Sequence, residues 1–280
     1  MTNKFFQIIS IVLLMAFIAG CGGQAAIKKS NQTDPGNTKK TITIAGSTSL
    51  LPISESLAEA YRRKNPGIAI YIQGGGSAQG IKGASEGICD IGTISRSLHA
   101  SEEKLGLKAT TIALDGLAVI LHPDNPIKNL THQQVKKIFT GEIKNWKEIN
   151  GADMPINVVN REEGSGTRDA FEQVFLGDEF RITENAVIQS SNGAVRKTVA
   201  TDKYSIAYLS LGYVNEEVKS IAIDQVAPTI ENVKTGTYRF ARPLIFLTPG
   251  EPAGTTKDFI EFVLGPEGQH IVEQHYVRVN

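Results

Sequence analysis

The 280-residue sequence has little cysteine and no excess of either charge. Lysine and arginine together number 29, as do aspartate and glutamate, so no basic face predicts binding to nucleic acid or to a membrane surface. The five histidines are His99, His122, His132, His270 and His275. Their spacing matches no metal-ligand pattern, so the sequence predicts neither a metal site nor a cofactor.

Motifs that would indicate catalysis are also missing. Ser77 is not in a G-x-S-x-G elbow, because Gln79 occupies the last position. The G-x-G-x-x-G pattern that starts at Gly74 fails at the same residue, and no G-x-x-x-x-G-K-S/T loop is present. A hydrolase or phosphatase needs a nucleophile with a base, or a metal cluster, and no such set emerges. The sequence therefore predicts a protein that is not an enzyme.

The N-terminus resembles a bacterial lipoprotein signal. The apolar run from Phe5 to Ala19 is short for a membrane span and has the length of a signal-peptide core. It leads into I-A-G-C, where small residues precede Cys21 as in a lipobox, so we expect Cys21 to carry lipid. The alternatives are an ordinary signal peptide cut elsewhere or an uncleaved anchor. Residues 1–20 are then a signal peptide, and residues 21–40, which lack apolar periodicity, a flexible tether.

Lipidation of Cys21 would determine both the compartment and the thiol chemistry. The protein would be extracytoplasmic and anchored to a membrane, either on the outer face of the plasma membrane or in the periplasm of a cell with two membranes. Cys89 would be the only free thiol, which excludes a disulfide within the chain. Because Ile88 and Ile91 flank Cys89, we expect it to be a small buried apolar residue rather than a nucleophile.

After residue 40, strand and helix patterns alternate, as a mostly parallel α/β fold requires. Strand patterns cover 41–45, 68–72, 117–121, 156–160, 205–209 and 244–247. Helix patterns cover 49–63, 132–139, 167–175, 194–200 and 255–264. The roughly 260 residues that remain without the signal peptide suit two α/β lobes or one large domain.

Three glycine-containing turns carry hydroxyl groups and lead into helices. They are G-S-T-S (46–49), G-G-G-S (74–77) and G-S-G-T (164–167). The first N–H groups of a helix lack helical partners, and with the helix dipole they attract anions. Such turns lie beyond the carboxyl ends of strands, where open α/β sheets bind ligands. We therefore expect one shared oxyanion site, the alternative being three unrelated helix caps.

Arg161 precedes the third turn in the stretch R-E-E-G-S-G-T-R. Its planar guanidinium is suited to two oxygens of an anion at once. Glu163 is close enough in sequence to hold that guanidinium in place. The alternative is a capped helix with solvated flanking charges.

Taken in order, seven motifs resemble the substrate-binding lipoproteins of ABC-type phosphate importers. They are G-S-T-S, G-G-G-S, D-I-G-T-I-S-R, I-A-L-D-G-L-A-V-I, I-F-T-G-E-I-K-N-W, R-E-E-G-S-G-T-R and S-N-G-A-V, and the match runs from about residue 41 to the C-terminus. The resemblance implies the two-lobed type II periplasmic-binding-protein fold, which closes on one phosphate and delivers it to a membrane permease. Lobe one would be 41–117 plus 241–280 and lobe two 118–240, although the second crossover could instead fall near 205–211. The protein would act as a monomer.

The resemblance also implies phosphate contacts at Thr48, Ser49, Ser77, Arg161, Ser165, Gly166 and Thr167. Some relatives have an aspartate after the serine of D-x-G-x-x-S that accepts the proton of monohydrogen phosphate, whereas this chain has Arg96 there. An arginine cannot accept a hydrogen bond. Either Arg96 is a second cationic ligand and the acceptor lies elsewhere, or the chain binds another oxyanion such as sulfate. Asp115 is our candidate for the replacement acceptor, and the alternative is a turn residue.

Two further positions have less specific predictions. Trp146 is predicted to be a packing anchor in lobe two. Asn192 and Gly193 precede a helix and either offer a further N-terminus to the cleft or form an ordinary cap. A surface adhesion or sensory protein that keeps this fold is the remaining functional alternative, although Arg161 together with G-S-G-T favours a working anion site.

Overall fold

The computed structural model describes residues 41–280. The predicted signal peptide, the lipidated Cys21 and the tether lie outside the described residues. The strands are β1 (Thr41–Gly46), β2 (Ala69–Gly74), β3 (Ile91–Ile94), β4 (Leu107–Leu121), β5 (Asn129–Leu130), β6 (Asn157–Arg161), β7 (Val187–Gln189), β8 (Ser205–Ser210), β9 (Lys219–Ser220), β10 (Ala222–Ile223), β11 (Ala241–Pro249) and β12 (Val277–Arg278). The helices are α1 (Leu51–Lys64), α2 (Ser77–Ser85), α3 (Ala100–Glu103), α4 (His132–Phe139), α5 (Gly166–Phe171), α6 (Asn192–Thr201), α7 (Ile230–Lys234), α8 (Gly254–Leu264) and α9 (Pro266–Val272).

The alternation of strands and helices is confirmed, with most ends moved by a few residues. The largest difference is β4, which was predicted over 117–121 and begins at Leu107. Its first part mixes exposed lysine and threonine with partly buried residues, so it lacks the apolar run that marks its second part. The strand β3 was not predicted, because it has only four residues, all of them buried.

Helix α1 shows how sequence pattern places a helix start. Pro52 lies in its first turn, where a missing N–H costs no helical bond. Ile53, Leu57 and Tyr61 follow at helical spacing and are buried. The apolar stripe fixes the helix on the sheet, and its N-terminus is thereby held just beyond the end of β1.

One long mixed sheet connects most strands, in the order β2-β1-β3-β11-β4-β8-β6-β7. Strands β1, β2 and β3 are parallel, as are β6, β7 and β8. The long strand β4 is antiparallel to β11 through Gly116, and from Leu117 it pairs with β8 instead. β4 therefore runs from one set of parallel strands into the other.

Two main hydrophobic cores lie on either side of that change of partner. The first, which includes Ile42, Leu57 and Phe246, packs among β1–β3, α1, α8 and α9. The second, which includes Phe171 and Tyr208, packs among β6, β8, α4 and α5. We call these two parts lobe one and lobe two, and the α/β two-lobed fold predicted from the sequence is confirmed.

Two local predictions are confirmed by burial. Trp146 is buried in the core of lobe two, and its Nε1 donates to the Tyr204 carbonyl at 2.9 Å. Cys89 is buried in lobe one, and burial raises the pKa of its thiol. None of the helices in the described part of the chain combines the length and the apolar composition needed to cross a membrane.

Candidate functional site

Four helices begin close together beyond the carboxyl ends of parallel strands. β1 leads into α1, β2 into α2, β6 into α5 and β7 into α6. The Ala78 N–H donates to the Gly164 carbonyl at 3.0 Å, which joins the starts of α2 and α5. Ser49 Oγ lies 3.0 Å from Thr167 Oγ1, which joins the turn before α1 to α5. The three predicted turns therefore meet. The N-terminus of α6 lies at the same place, as a fourth helix start.

Hydroxyl groups line this meeting point, and each belongs to a residue that is at most 6% exposed. They are Ser47, Thr48, Ser49, Ser77, Ser95, Ser165 and Thr167. Ser47 Oγ donates to Ser95 Oγ at 2.9 Å, and the Ser95 N–H donates to Ser77 Oγ at 3.1 Å. Because a hydroxyl both donates and accepts, such a cluster can bond both the charged and the protonated oxygens of an anion.

Arg161 extends from the end of β6 into the cluster and is 1% exposed. Its Nε and Nη2 each donate to the Glu162 carboxylate at 2.8 Å, so Glu162 holds the guanidinium in place rather than the predicted Glu163. Nη2 also lies 3.4 Å from Thr48 Oγ1. Nη1 is buried and has no hydrogen-bond partner among the described residues. A buried unpaired guanidinium nitrogen is costly, so its position points to an acceptor supplied by a ligand.

A second buried arginine, Arg242, was not predicted from the sequence. It lies on β11 directly opposite Asp115 of β4, and its Nη2 donates to Asp115 Oδ2 at 2.9 Å and to Ser49 Oγ at 2.9 Å. Its Nη1 donates to Ser95 Oγ at 3.3 Å. Arg242 therefore brings a second positive charge to the hydroxyl cluster.

Asp115 reaches the cluster through this pair. Its Oδ2 also accepts from Arg242 Nε at 3.1 Å, and its Oδ1 accepts from Ser210 Oγ at 3.0 Å. Burial raises the pKa of Asp115, and the partners just named oppose that rise. An ionised carboxylate has about four acceptor positions, and these three bonds occupy most of them. Among the described residues, Asp115 is hydrogen-bonded to Arg242 and Ser210 and to none of the hydroxyl groups of the cluster.

Arg96 does not join the cluster. Its Nε donates to Asp169 Oδ2 at 2.8 Å, and its Nη1 and Nη2 donate to the Glu102 carboxylate at 2.6 and 2.8 Å. Nη1 also donates to the Ser97 carbonyl at 2.8 Å. All three nitrogens are therefore engaged by protein oxygens, and two carboxylates neutralise the charge. These contacts do not support the predicted role of Arg96 as a cationic ligand.

Asn192 contributes a side chain rather than a cap. The cap of α6 is Ser191, whose Oγ accepts from the Ala194 N–H. Asn192 Nδ2 donates to Thr48 Oγ1 and Ser49 Oγ, both at 3.0 Å, and its Oδ1 accepts from the Ser210 N–H. Asn192 therefore ties lobe two to the first turn of lobe one.

The chain is similar to a known protein family and to several of its members. A model of the PBP superfamily domain matches residues 31–267. The chain belongs to the PBP superfamily. It is 34% identical over 288 residues to the phosphate-binding protein PstS of Bacillus subtilis (strain 168). That alignment covers 99% of this chain and 94% of the relative. It is 32% identical over 250 residues to the phosphate-binding protein PstS of Borreliella burgdorferi. That alignment covers 85% of this chain and 89% of the relative.

Solved structures give the same family relationship. A putative phosphate ABC transporter substrate-binding protein with bound phosphate from Clostridium perfringens matches with a TM-score of 0.83 and 42% identity. The match covers 86% of this chain and all of that chain. An ABC-type phosphate transport receptor from Vibrio cholerae matches with a TM-score of 0.70 and 35% identity, over 84% of this chain and 99% of that one. The fold is therefore the two-lobed type II fold of the PBP superfamily, as predicted.

Gly166 of lobe two packs closely against Ser77 and Ser95 of lobe one in this PBP-superfamily chain. A Cβ atom at Gly166 would overlap Ser77 Oγ and lie 2.9 Å from Ser95 Oγ. A Gly166→Ala variant is therefore expected to lower ligand affinity by at least about 10-fold, since the added methyl opposes approach of the lobes at a cost of roughly 1–3 kcal/mol. Equilibrium dialysis with radiolabelled phosphate measures this. Gly67→Ala is the matched control, because a Cβ atom there would meet nothing within 4 Å and the φ of Gly67 is not positive.

Proposed function

We propose that the protein binds inorganic phosphate outside the cytoplasm and delivers it to an ABC-type importer, without catalysing a reaction. The observation that carries the proposal is Nη1 of Arg161, which has no hydrogen-bond partner within residues 41–280 and is buried among hydroxyl groups at four helix N-termini. Such a site provides what a small tetrahedral oxyanion requires: cationic and neutral donors that surround it and exclude water. The names of the relatives and of the solved structures support phosphate as that anion.

We propose that the direct contacts come from both lobes. Lobe one contributes Thr48, Ser49, Ser77 and Arg242, and lobe two contributes Arg161, Ser165, Gly166, Thr167 and Asn192. The first turns of α1, α2 and α5 add backbone N–H groups. Each charge-assisted bond contributes roughly 1.5–3 kcal/mol, so several of them suffice for micromolar or tighter binding.

Asp115 acts through Arg242 in this proposal. Two of its three hydrogen bonds come from Arg242, so its main effect is to hold the Arg242 guanidinium toward Ser49 and Ser95. The sequence-based prediction of Asp115 as a direct proton acceptor is the competing role. The hydroxyl groups of the cluster supply acceptors for a ligand proton if Asp115 does not.

Delivery would rest on closure of two lobes about the strands that connect them. We propose lobe one as 41–117 plus 241–280 and lobe two as 118–240. The change of partner of β4 from β11 to β8, between Gly116 and Leu117, supports a first boundary within one residue of that position. Contacts such as that of Asn192 with Ser49 exist only when the lobes meet, so anion entry favours the closed form, which docks on the permease. The protein would do this as a monomer, tethered to a membrane by lipid on Cys21.

Calorimetric titration with phosphate and then sulfate, after removal of endogenous ligand, tests the proposed function. Residues 41–280 are a suitable protein, since they belong to one compact unit. We expect tight phosphate binding and no heat from sulfate. Tighter binding of sulfate would keep the site and change its substrate. Absence of binding to either anion would favour an adhesion or sensory protein with this fold.

A further inference from the structure

A second set of charges connects the lobes beside the anion site. Arg96 follows β3 in lobe one, and Asp169 lies in the first turn of α5 in lobe two. The bond between Arg96 Nε and Asp169 Oδ2 measures 2.8 Å, with Arg96 buried and the Asp169 side chain 29% exposed. Glu102 of α3 completes the group, which we call the Arg96 latch.

Within the latch, most hydrogen bonds of Arg96 are to residues of its own lobe. Its Nη1 and Nη2 donate to Glu102, and Nη1 also donates to the Ser97 carbonyl. The Glu102 carboxylate is itself held, since it accepts from the His99 N–H at 2.8 Å in the cap of α3. Of the three Arg96 nitrogens, only Nε bonds to lobe two, at Asp169. Because the guanidinium is already oriented, the bond to Asp169 forms with little further loss of side-chain freedom.

The position of Asp169 couples the latch to the anion. Asp169 is on the same helix as Thr167, whose hydroxyl contacts Ser49 in the cluster. The Asp169 N–H donates to the Ser165 carbonyl. The latch therefore holds the helix that carries the third turn, Ser165 to Thr167. One positive charge faces two carboxylates here, so Arg96 has no free charge to offer a ligand.

We propose that Arg96 is a positioning residue whose bond to Asp169 holds the closed form and slows release of the anion without contacting it. The inference rests on the proposed function, since it assumes that the lobes close on phosphate. The open form lacks this bond, because Arg96 and Asp169 then separate with their lobes. Loss of the latch should thus act on the release rate and leave the association rate nearly unchanged.

The test uses the full chain in detergent micelles and measures release and association rates of radiolabelled inorganic phosphate. Asp169→Ala and Arg96→Gln are each expected to raise the release rate about 5- to 20-fold, as loss of one partly exposed charge-assisted bond predicts. The double variant should release phosphate no faster than the more affected single variant, because both changes remove the same bond. Arg96→Lys should restore part of the slow release.

Glu217→Ala is the matched control. The Glu217 carboxylate is 34% exposed and pairs with Arg196 at 3.0 Å, but both partners belong to lobe two. This variant should release phosphate at the wild-type rate. Thermal unfolding provides the second readout: Asp169→Ala should lower the Tm of the phosphate-bound protein more than that of the ligand-free protein. Equal lowering in both states would assign the residue a purely structural role.

Failure of this inference is distinguishable from failure of the proposed function. If the wild-type chain binds no phosphate, the proposed function is wrong, and the proposed role of the latch in phosphate release is wrong as well. If the wild type binds and Asp169→Ala releases phosphate at the wild-type rate, only the latch is overturned. Additive effects of the two single substitutions in the double variant would also overturn it, since Arg96 and Asp169 would then act independently.

Discussion

Replacing Arg161 with alanine is expected to lower the affinity for inorganic phosphate by about 10²- to 10⁴-fold. Its Nη1 is buried with no partner among the described residues, and its Nη2 lies beside Thr48 of the opposite lobe. Two charge-assisted bonds at roughly 1.5–3 kcal/mol each give an effect of this size. Calorimetric titration of ligand-stripped protein measures it.

The fold of the Arg161→Ala variant should survive, which makes the result interpretable. The Glu162 carboxylate that loses its partner is 27% exposed, so water can solvate it. Arg168→Ala is the control, because the Arg168 side chain pairs with Glu172 at 3.0 Å and otherwise donates to the Arg161 backbone carbonyl at 3.4 Å, and among the described residues it has no hydrogen bond to a hydroxyl group of the cluster. We expect Arg168→Ala to bind phosphate nearly as tightly as the wild type. Wild-type affinity in a folded Arg161→Ala variant would show that the anion site lies elsewhere.

The three hydroxyl-bearing turns could be located from sequence because each combines local signals that need no knowledge of the fold. Glycine, a hydroxyl residue and the start of an apolar helical pattern follow one another within a few residues in each case. Their convergence could also be expected, since the turns follow parallel strands whose carboxyl ends share an edge. The contacts of Ser49 with Thr167 and of Ala78 with Gly164 agree with this reasoning.

The charges around the cluster could not be assigned in the same way, because their roles depend on pairing between distant strands. Arg242 and Asp115 are opposite each other only through the register of β4 with β11, which the sequence pattern does not fix. A signal was present, however, since Arg242 is the only charged residue of the mostly apolar β11. Arg96 presents the converse problem, because nothing local indicates that its side chain turns toward Glu102 and Asp169.

Removal of the Arg242 charge should affect both stability and binding. In Arg242→Met the buried Asp115 carboxylate loses its ionic partner, which costs about 3–5 kcal/mol of the free energy of unfolding. Phosphate affinity should fall by at least about 100-fold, because an unpaired negative charge then faces the anion. Without Arg242, the pKa of Asp115 rises further above its ordinary value. The loss in the free energy of unfolding should therefore be smallest at a pH below the ordinary aspartate pKa, and it should grow as the pH rises from there through the raised pKa of Asp115. Denaturant unfolding at several pH values measures this loss.

The double variant Asp115→Asn/Arg242→Met separates the two effects. Removing both charges eliminates the unpaired carboxylate, so most of the lost stability should return, whereas phosphate affinity should remain low because the second cation is still missing. Recovery of wild-type affinity would mean that Arg242 serves only to balance Asp115. The single Asp115→Asn variant, titrated with both anions, then identifies the role of the carboxylate. If Asp115 positions Arg242, any sulfate affinity should fall in parallel with phosphate affinity; if it accepts the ligand proton, the preference for phosphate over sulfate should collapse.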